Sequence, residues 1–128
     1  MRKILVVDDS MVMRNMIRKV IENNQLAEVM EAKDADDALM KYQTFQPDVV
    51  TMDITMPGKS GIEAVKQIKS VDKNANIIMI TAMGQKAMVV EALNEGARDF
   101  IVKPFEEEKL VSAINKIFKI INVLENRY

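Results

Sequence analysis

Short, continuous apolar runs alternate five times with stretches whose apolar residues recur every three or four positions, and no other feature restricts the fold so strongly. Residues 4–7 (Ile4, Leu5, Val6, Val7) are apolar throughout and are stopped by acids, the pattern of a strand buried on both faces. Ser10 or Asp9 caps a helix carrying Met13, Met16, Ile17, Val20 and Ile21, and Asn23-Asn24 ends it. Residues 27–32 form a weaker strand, and Asp34 caps a helix running to about Phe45. After Pro47 comes a third strand over 48–52, then a turn-rich loop through Pro57, Gly58 and Gly61. Ile62, Val65 and Ile68 mark a third helix, ending near Val71. A fourth strand over 76–81 is followed by a helix over 85–95, closed by Gly96. A fifth strand spans 100–102, and Pro104 starts a last helix with Leu110, Ala113, Ile114, Ile117 and Phe118 inside.

Five strands alternating with five helices at this spacing call for an α/β fold: a parallel sheet with helices on both faces. Right-handed crossovers restrict it to doubly wound forms, and the flavodoxin-like (βα)5 order 2-1-3-4-5 is the expectation. A length of 128 residues suits one domain. The expected division is a domain over 1–120 and a helical extension or tail over 121–128, where Val123 and Leu124 prolong an apolar pattern beyond what the core needs.

Composition removes whole classes of function. With no Cys there are no disulfides and no thiolate chemistry; with no His there are no Ser-His-Asp triads and no His-ligated zinc. With no Trp and 5% aromatics there is no base-stacking platform. Lys+Arg and Asp+Glu nearly balance at 18 and 19, so net charge offers no reason to bind nucleic acid or an anionic membrane. The N-terminal apolar run is too short for a signal segment or a membrane span, and a soluble, cytoplasmic protein is expected.

In open α/β sheets, ligands bind beyond the carboxyl ends of the strands, where strand order reverses. Asp8, Asp9 and Asp53 follow strands 1 and 3 there, Thr81 ends strand 4 and Lys103 ends strand 5. Two carboxylates about 4 Å apart repel by roughly 4 kcal/mol at an effective dielectric near 20. Relief comes from protonation of one acid, from a bound cation, or from Lys103. Oxygen ligands without His or Cys select Mg2+ or Mn2+. An open site of that kind beside a carboxylate suits phosphoryl transfer onto that carboxylate, with Lys103 and Thr81 holding the phosphoryl oxygens.

Each residue also has a plainer reading. Asp8-Asp9 caps a helix, Asp53 is a turn residue, Thr81 caps the fourth helix, and Lys103-Pro104 merely opens the last one. Their shared position at one sheet edge argues for the chemical reading. Phosphate-binding loops of the G-x-x-x-x-G-K-[ST] and G-x-G-x-x-G kinds are absent. A Mg2+-dependent aspartyl phosphatase is the rival enzyme, although its two acids stand as D-x-D after strand 1 and here Asp8 and Asp9 are adjacent.

The segments Lys3-Ile4-Leu5-Val6-Val7-Asp8-Asp9-Ser10, Thr51-Met52-Asp53-Ile54-Thr55-Met56-Pro57-Gly58, Ile80-Thr81-Ala82 and Val102-Lys103-Pro104-Phe105 resemble the receiver domain of two-component response regulators. Asp9-Ser10-Met11-Val12-Met13-Arg14 and Thr81-Ala82-Met83-Gly84-Gln85 are most similar to stand-alone chemotaxis regulators of the CheY type. The strand order 2-1-3-4-5 belongs to that family too, so fold and family are one expectation and not two.

The resemblance implies a role for each residue. Asp53 is the phosphoacceptor. Asp8, Asp9, Asp53 and the backbone carbonyl of Thr55 hold the metal. Thr81 is the switch hydroxyl, Lys103 the phosphate-binding lysine, and Phe100 the switch aromatic. The donor is a CheA-like sensor histidine kinase. The surface of helix 4, strand 5 and helix 5, including Val89, Leu93, Phe100 and Val102, meets a target such as the flagellar motor switch. No nucleic-acid contact, membrane insertion or metabolic activity is implied; the chain is a monomer with a phosphorylation-dependent dimer as its alternative. A receiver cut from a larger regulator with an output domain is the other reading. In relatives, the positions of Thr55 and Met83 flank the water that attacks the aspartyl-phosphate; neither residue carries an acid or amide, which predicts slow self-dephosphorylation.

Overall fold

The computed structural model describes residues 1–126. Its elements are β1 (Lys3–Val7), α1 (Met11–Asn23), β2 (Glu28–Ala32), α2 (Ala35–Phe45), β3 (Val49–Asp53), α3 (Gly61–Val71), β4 (Ile77–Ala82), α4 (Lys86–Asn94), β5 (Asp99–Lys103) and α5 (Glu107–Asn126). All strand pairs are parallel, in the order β2-β1-β3-β4-β5. The flavodoxin-like arrangement expected from the sequence is the one observed.

Strand side chains alternate between faces, and the sheet divides its core accordingly. Leu5, Val7, Val50, Met52, Ile77 and Met79 pack with α2, α3 and α4 on one face. Ile4, Val6, Val49, Ile78, Ile80 and Ile101 pack with α1 and α5 on the other. This is why β1 reads as an unbroken apolar run: both sets of side chains are buried. Each fully buried aliphatic residue contributes roughly 1.5–3 kcal/mol before entropy is charged.

Helix starts follow capping chemistry. Ser10 Oγ accepts the Met13 N–H, Asp34 accepts that of Asp37, and Ser60 that of Glu63. Ser10 rather than Asp9 therefore caps α1. Gly96 follows α4 at φ +112, a conformation open to glycine at little cost.

The last helix corrects the sequence reading. Pro104 does not start it; α5 begins at Glu107. Pairing of β5 with β4 runs on to Ala82↔Lys103, so the chain needs residues 104–106 to leave the sheet before a helical turn closes from Lys109 N–H to the Glu106 carbonyl. The Lys103–Pro104 peptide is cis.

α5 continues through the predicted tail as far as Asn126; residues 127 and 128 of the tail expected over 121–128 lie outside the described residues. Ile121 still touches the core, whereas Ile120, Val123 and Leu124 are exposed. Arg2 ties the helix back to the strand edge, bonding Asn122, Glu125 and Asp48. Among the described residues, no helix is long and apolar enough to cross a membrane.

Candidate functional site

The alternation that divides the core also builds the site. Asp8 continues the Ile4–Val6 face of β1, Asp53 the Val49 face of β3, and Lys103 the Ile101 face of β5. One face of the sheet thus carries two acids and an ammonium at the carboxyl ends of its strands. Lys103 Nζ lies 3.5 Å from Asp8 Oδ2 and 3.4 Å from Asp53 Oδ1. Asp9, on the exposed loop, completes a group of three acids whose ligand atoms all lie within 4.8 Å of one another.

Neither Asp8 nor Asp53 is a helix cap, and Asp53 is the last residue of β3, paired with Ile80, rather than a turn residue beyond it. Asp8 Oδ1 accepts the Ser10 N–H at 2.9 Å, and Arg14 Nη1 donates to the Asp8 carbonyl at 2.7 Å. Arg14 is itself held by Glu31, so β2 braces the loop that carries the acids.

Gly61 sets the position of Asp53 from the other side. Its N–H donates to the Ile54 carbonyl at 2.7 Å, and a Cβ there would stand 2.1 Å from the Asp53 carbonyl oxygen. The first turn of α3 rests directly on the backbone of the Asp53 loop, a closeness only glycine permits.

Burial pushes the Asp53 carboxyl up to about 6, and the charge of Asp8 adds to the rise while Lys103 opposes it. Desolvation wins because Asp53 is only 6% exposed and a single partly exposed ammonium is shared between two carboxylates. A cation of higher charge would relieve the repulsion between these carboxylates. Three carboxylates without His or Cys fit a hard divalent ion such as Mg2+ or Mn2+, and fit zinc poorly.

Thr81 is buried near the end of β4, where alternation places it on the opposite face from Asp53. Its hydroxyl donates to Gln85 Oε1 at 2.7 Å. Gln85 Nε2 in turn donates to the Thr55 hydroxyl at 2.6 Å. The sequence reading missed Gln85 because a polar residue ahead of a helix is indistinguishable there from an ordinary loop residue. Thr55 and Met83 themselves carry no acid or amide, and Gln85 brings an amide to the Thr55 hydroxyl.

Of the expected partner surface, Leu93, Phe100 and Val102 are exposed, but Val89 is buried beneath them, packed into the core with Ala92. Val90, unnoticed in the sequence, is exposed beside them and lines an apolar groove between α4 and β5 with Leu93 and Phe100.

Residues 4–115 match the family model described as the response regulator receiver domain. The chemotaxis protein CheY of Thermotoga maritima is 48% identical over 118 residues, covering 92% of this chain and 98% of that protein. Among solved structures, a receiver domain protein from Clostridium thermocellum superposes with a TM-score of 0.91 at 28% identity, covering 97% of this chain and 99% of that one. The CheX-CheY-BeF3-Mg2+ complex from Borrelia burgdorferi gives 0.86 at 34% identity, covering 91% of this chain and 89% of that one.

Proposed function

The chain belongs to the family of response regulator receiver domains, and from that premise we propose that it accepts a phosphoryl group on Asp53 from a sensor histidine kinase and carries a chemotaxis signal to a protein target. The observation that supports this most is the meeting of ligand atoms of Asp8, Asp9 and Asp53 within 4.8 Å beside Lys103, although the acids come from two strand ends and the lysine from a third, all far apart in sequence. In this reading the domain occupies 1–120, residues 121–126 extend its last helix, and the protein works in the cytoplasm as a monomer.

An Asp53 oxygen attacks the phosphorus of the donor phosphohistidine, the P–N bond breaks, and the imidazole leaves. Asp8, Asp9, Asp53 and the Thr55 carbonyl would hold Mg2+ or Mn2+, which would supply charge neutralisation for the phosphoryl oxygens. Lys103, already 3.4 Å from Asp53, moves little to meet one of those oxygens. Asp53 remains an acceptor rather than an enzyme's nucleophile: the phosphoryl group stays as the signal until water removes it. The Borrelia burgdorferi complex, with BeF3 and Mg2+, supports the same chemistry by similarity.

The new charge of about −1.5 to −2 draws the Thr81 hydroxyl toward Asp53. Phe100 stands 43% exposed on β5, in position to turn inward and reshape the groove that Leu93 and Val102 share with it. This groove is the surface a target reads.

Incubation with acetyl phosphate and Mg2+ tests the reading. Intact mass should rise by one phosphoryl group, and Asp53→Asn should abolish the rise. Full labelling of that variant would refute the assignment.

A further inference from the structure

The Gln85 carboxamide joins three groups at the rim of the acid site. Its Oε1 accepts the Thr81 hydroxyl at 2.7 Å and the Ala82 N–H at 3.0 Å, and its Nε2 donates to the Thr55 hydroxyl at 2.6 Å. The Ala82 N–H can only donate, which fixes which end of the amide is oxygen. Gln85 is the residue before α4, yet its side chain makes no capping bond to the helix. The amide is committed to the end of β4 and to the loop that follows Asp53.

Thr81 has one hydroxyl proton, and its residue is 1% exposed, so water cannot readily replace a lost partner. Beyond Gln85, the hydroxyl reaches the Ala82 carbonyl at a longer 3.2 Å. A proton given to Gln85 is unavailable to a group on Asp53. We propose that Gln85 is a positioning residue that latches the Thr81 hydroxyl in its resting orientation, anchored through Thr55, so that a phosphoryl group on Asp53 must take the proton from Gln85 to throw the switch. This rests on the phosphoacceptor reading and adds the device that sets its resting bias. A ligand that needs the switched state binds more weakly by the factor with which the latch favours the resting one. One net hydrogen bond makes that factor about threefold to tenfold.

The test is a double-mutant cycle read as beryllofluoride affinity, by calorimetry in the presence of Mg2+. Gln85→Ala should tighten binding about threefold to tenfold. In a Thr81→Ala background, which has no hydroxyl to latch, the same substitution should change affinity by less than about twofold. Unchanged or weakened binding in the single variant, or an equal gain in both backgrounds, overturns the latch. A wild-type protein that takes no beryllofluoride defeats the phosphoacceptor reading instead. The latch then stands or falls on the ligand-free protein: the Gln85 side-chain amide should give two well-separated, slowly exchanging proton resonances that move on Thr81→Ala. A rapidly exchanging amide indifferent to that substitution rejects it.

Discussion

The Lys103 ammonium stands 3.4 Å from the Asp53 carboxylate across fifty positions of sequence, and it reaches Asp8 at nearly the same distance. One cation thus serves two buried acids. Lys103→Ala should raise the Asp53 carboxyl beyond about 6, because it removes the largest influence opposing burial and Asp8. A carbon-detected NMR titration of Asp53 in metal-free buffer measures the change. The same variant should lose about a hundredfold in labelling rate from acetyl phosphate. An unmoved titration would show that the ammonium does not act on Asp53.

Asp53 also ties stability to pH. Burial pushes its carboxyl up to about 6 in the folded chain, from the ordinary 3.8. Between those values the folded chain holds a proton that the unfolded chain has released, so stability falls as pH rises from about 4 to about 6. Without metal, the loss is on the order of 1–3 kcal/mol by pH 7. Asp53→Asn should remove that slope and be the more stable protein at pH 7. Denaturant midpoints at pH 4 and pH 7 decide it; parallel pH dependence in the two proteins contradicts the assignment.

Asp9 separates metal binding from folding. It is exposed, whereas Asp8 and Asp53 are buried. Asp9→Asn should leave stability within about 0.5 kcal/mol while weakening Mg2+ by about tenfold or more. Calorimetric titration with Mg2+ checks the second outcome and urea unfolding the first.

Gly61→Ala should be costly for its size. The added methyl meets the Asp53 carbonyl oxygen at 2.1 Å, which is backbone and cannot swing aside. Overpacking of this kind costs about 1–3 kcal/mol. Backbone amide shifts in the variant should spread along residues 53–56 and phosphoryl labelling should fall, whereas Gly58→Ala, with open space around its Cβ position, should leave residue 53 in place.

Arg2 anchors the end of α5 through Glu125 and Asn122 while bonding Asp48. The Glu125 contact is solvent-exposed, and such pairs add little to global stability. Arg2→Ala should therefore shift the thermal midpoint by no more than about 2 °C. Hydrogen exchange at residues 120–126 should nonetheless quicken, since local opening there no longer breaks the clamp.

The strands, helices and three of the helix caps were legible in the chain because they depend on near neighbours: apolar period, a serine or aspartate before a helix, a glycine after one. The acids and Lys103 were legible as well, since each ends a strand and parallel strands end together at one edge. Where α5 begins, which of Val89 and Val90 faces solvent, and what holds Thr81 were decided only by tertiary structure. Each depends on groups brought together by the closed sheet: β5 paired on to Lys103, α4 laid against the core, and an amide reaching from Gln85 to Thr55 across thirty positions. Local sequence carries no term for such contacts, because their energy exists only once the chain has already folded around them.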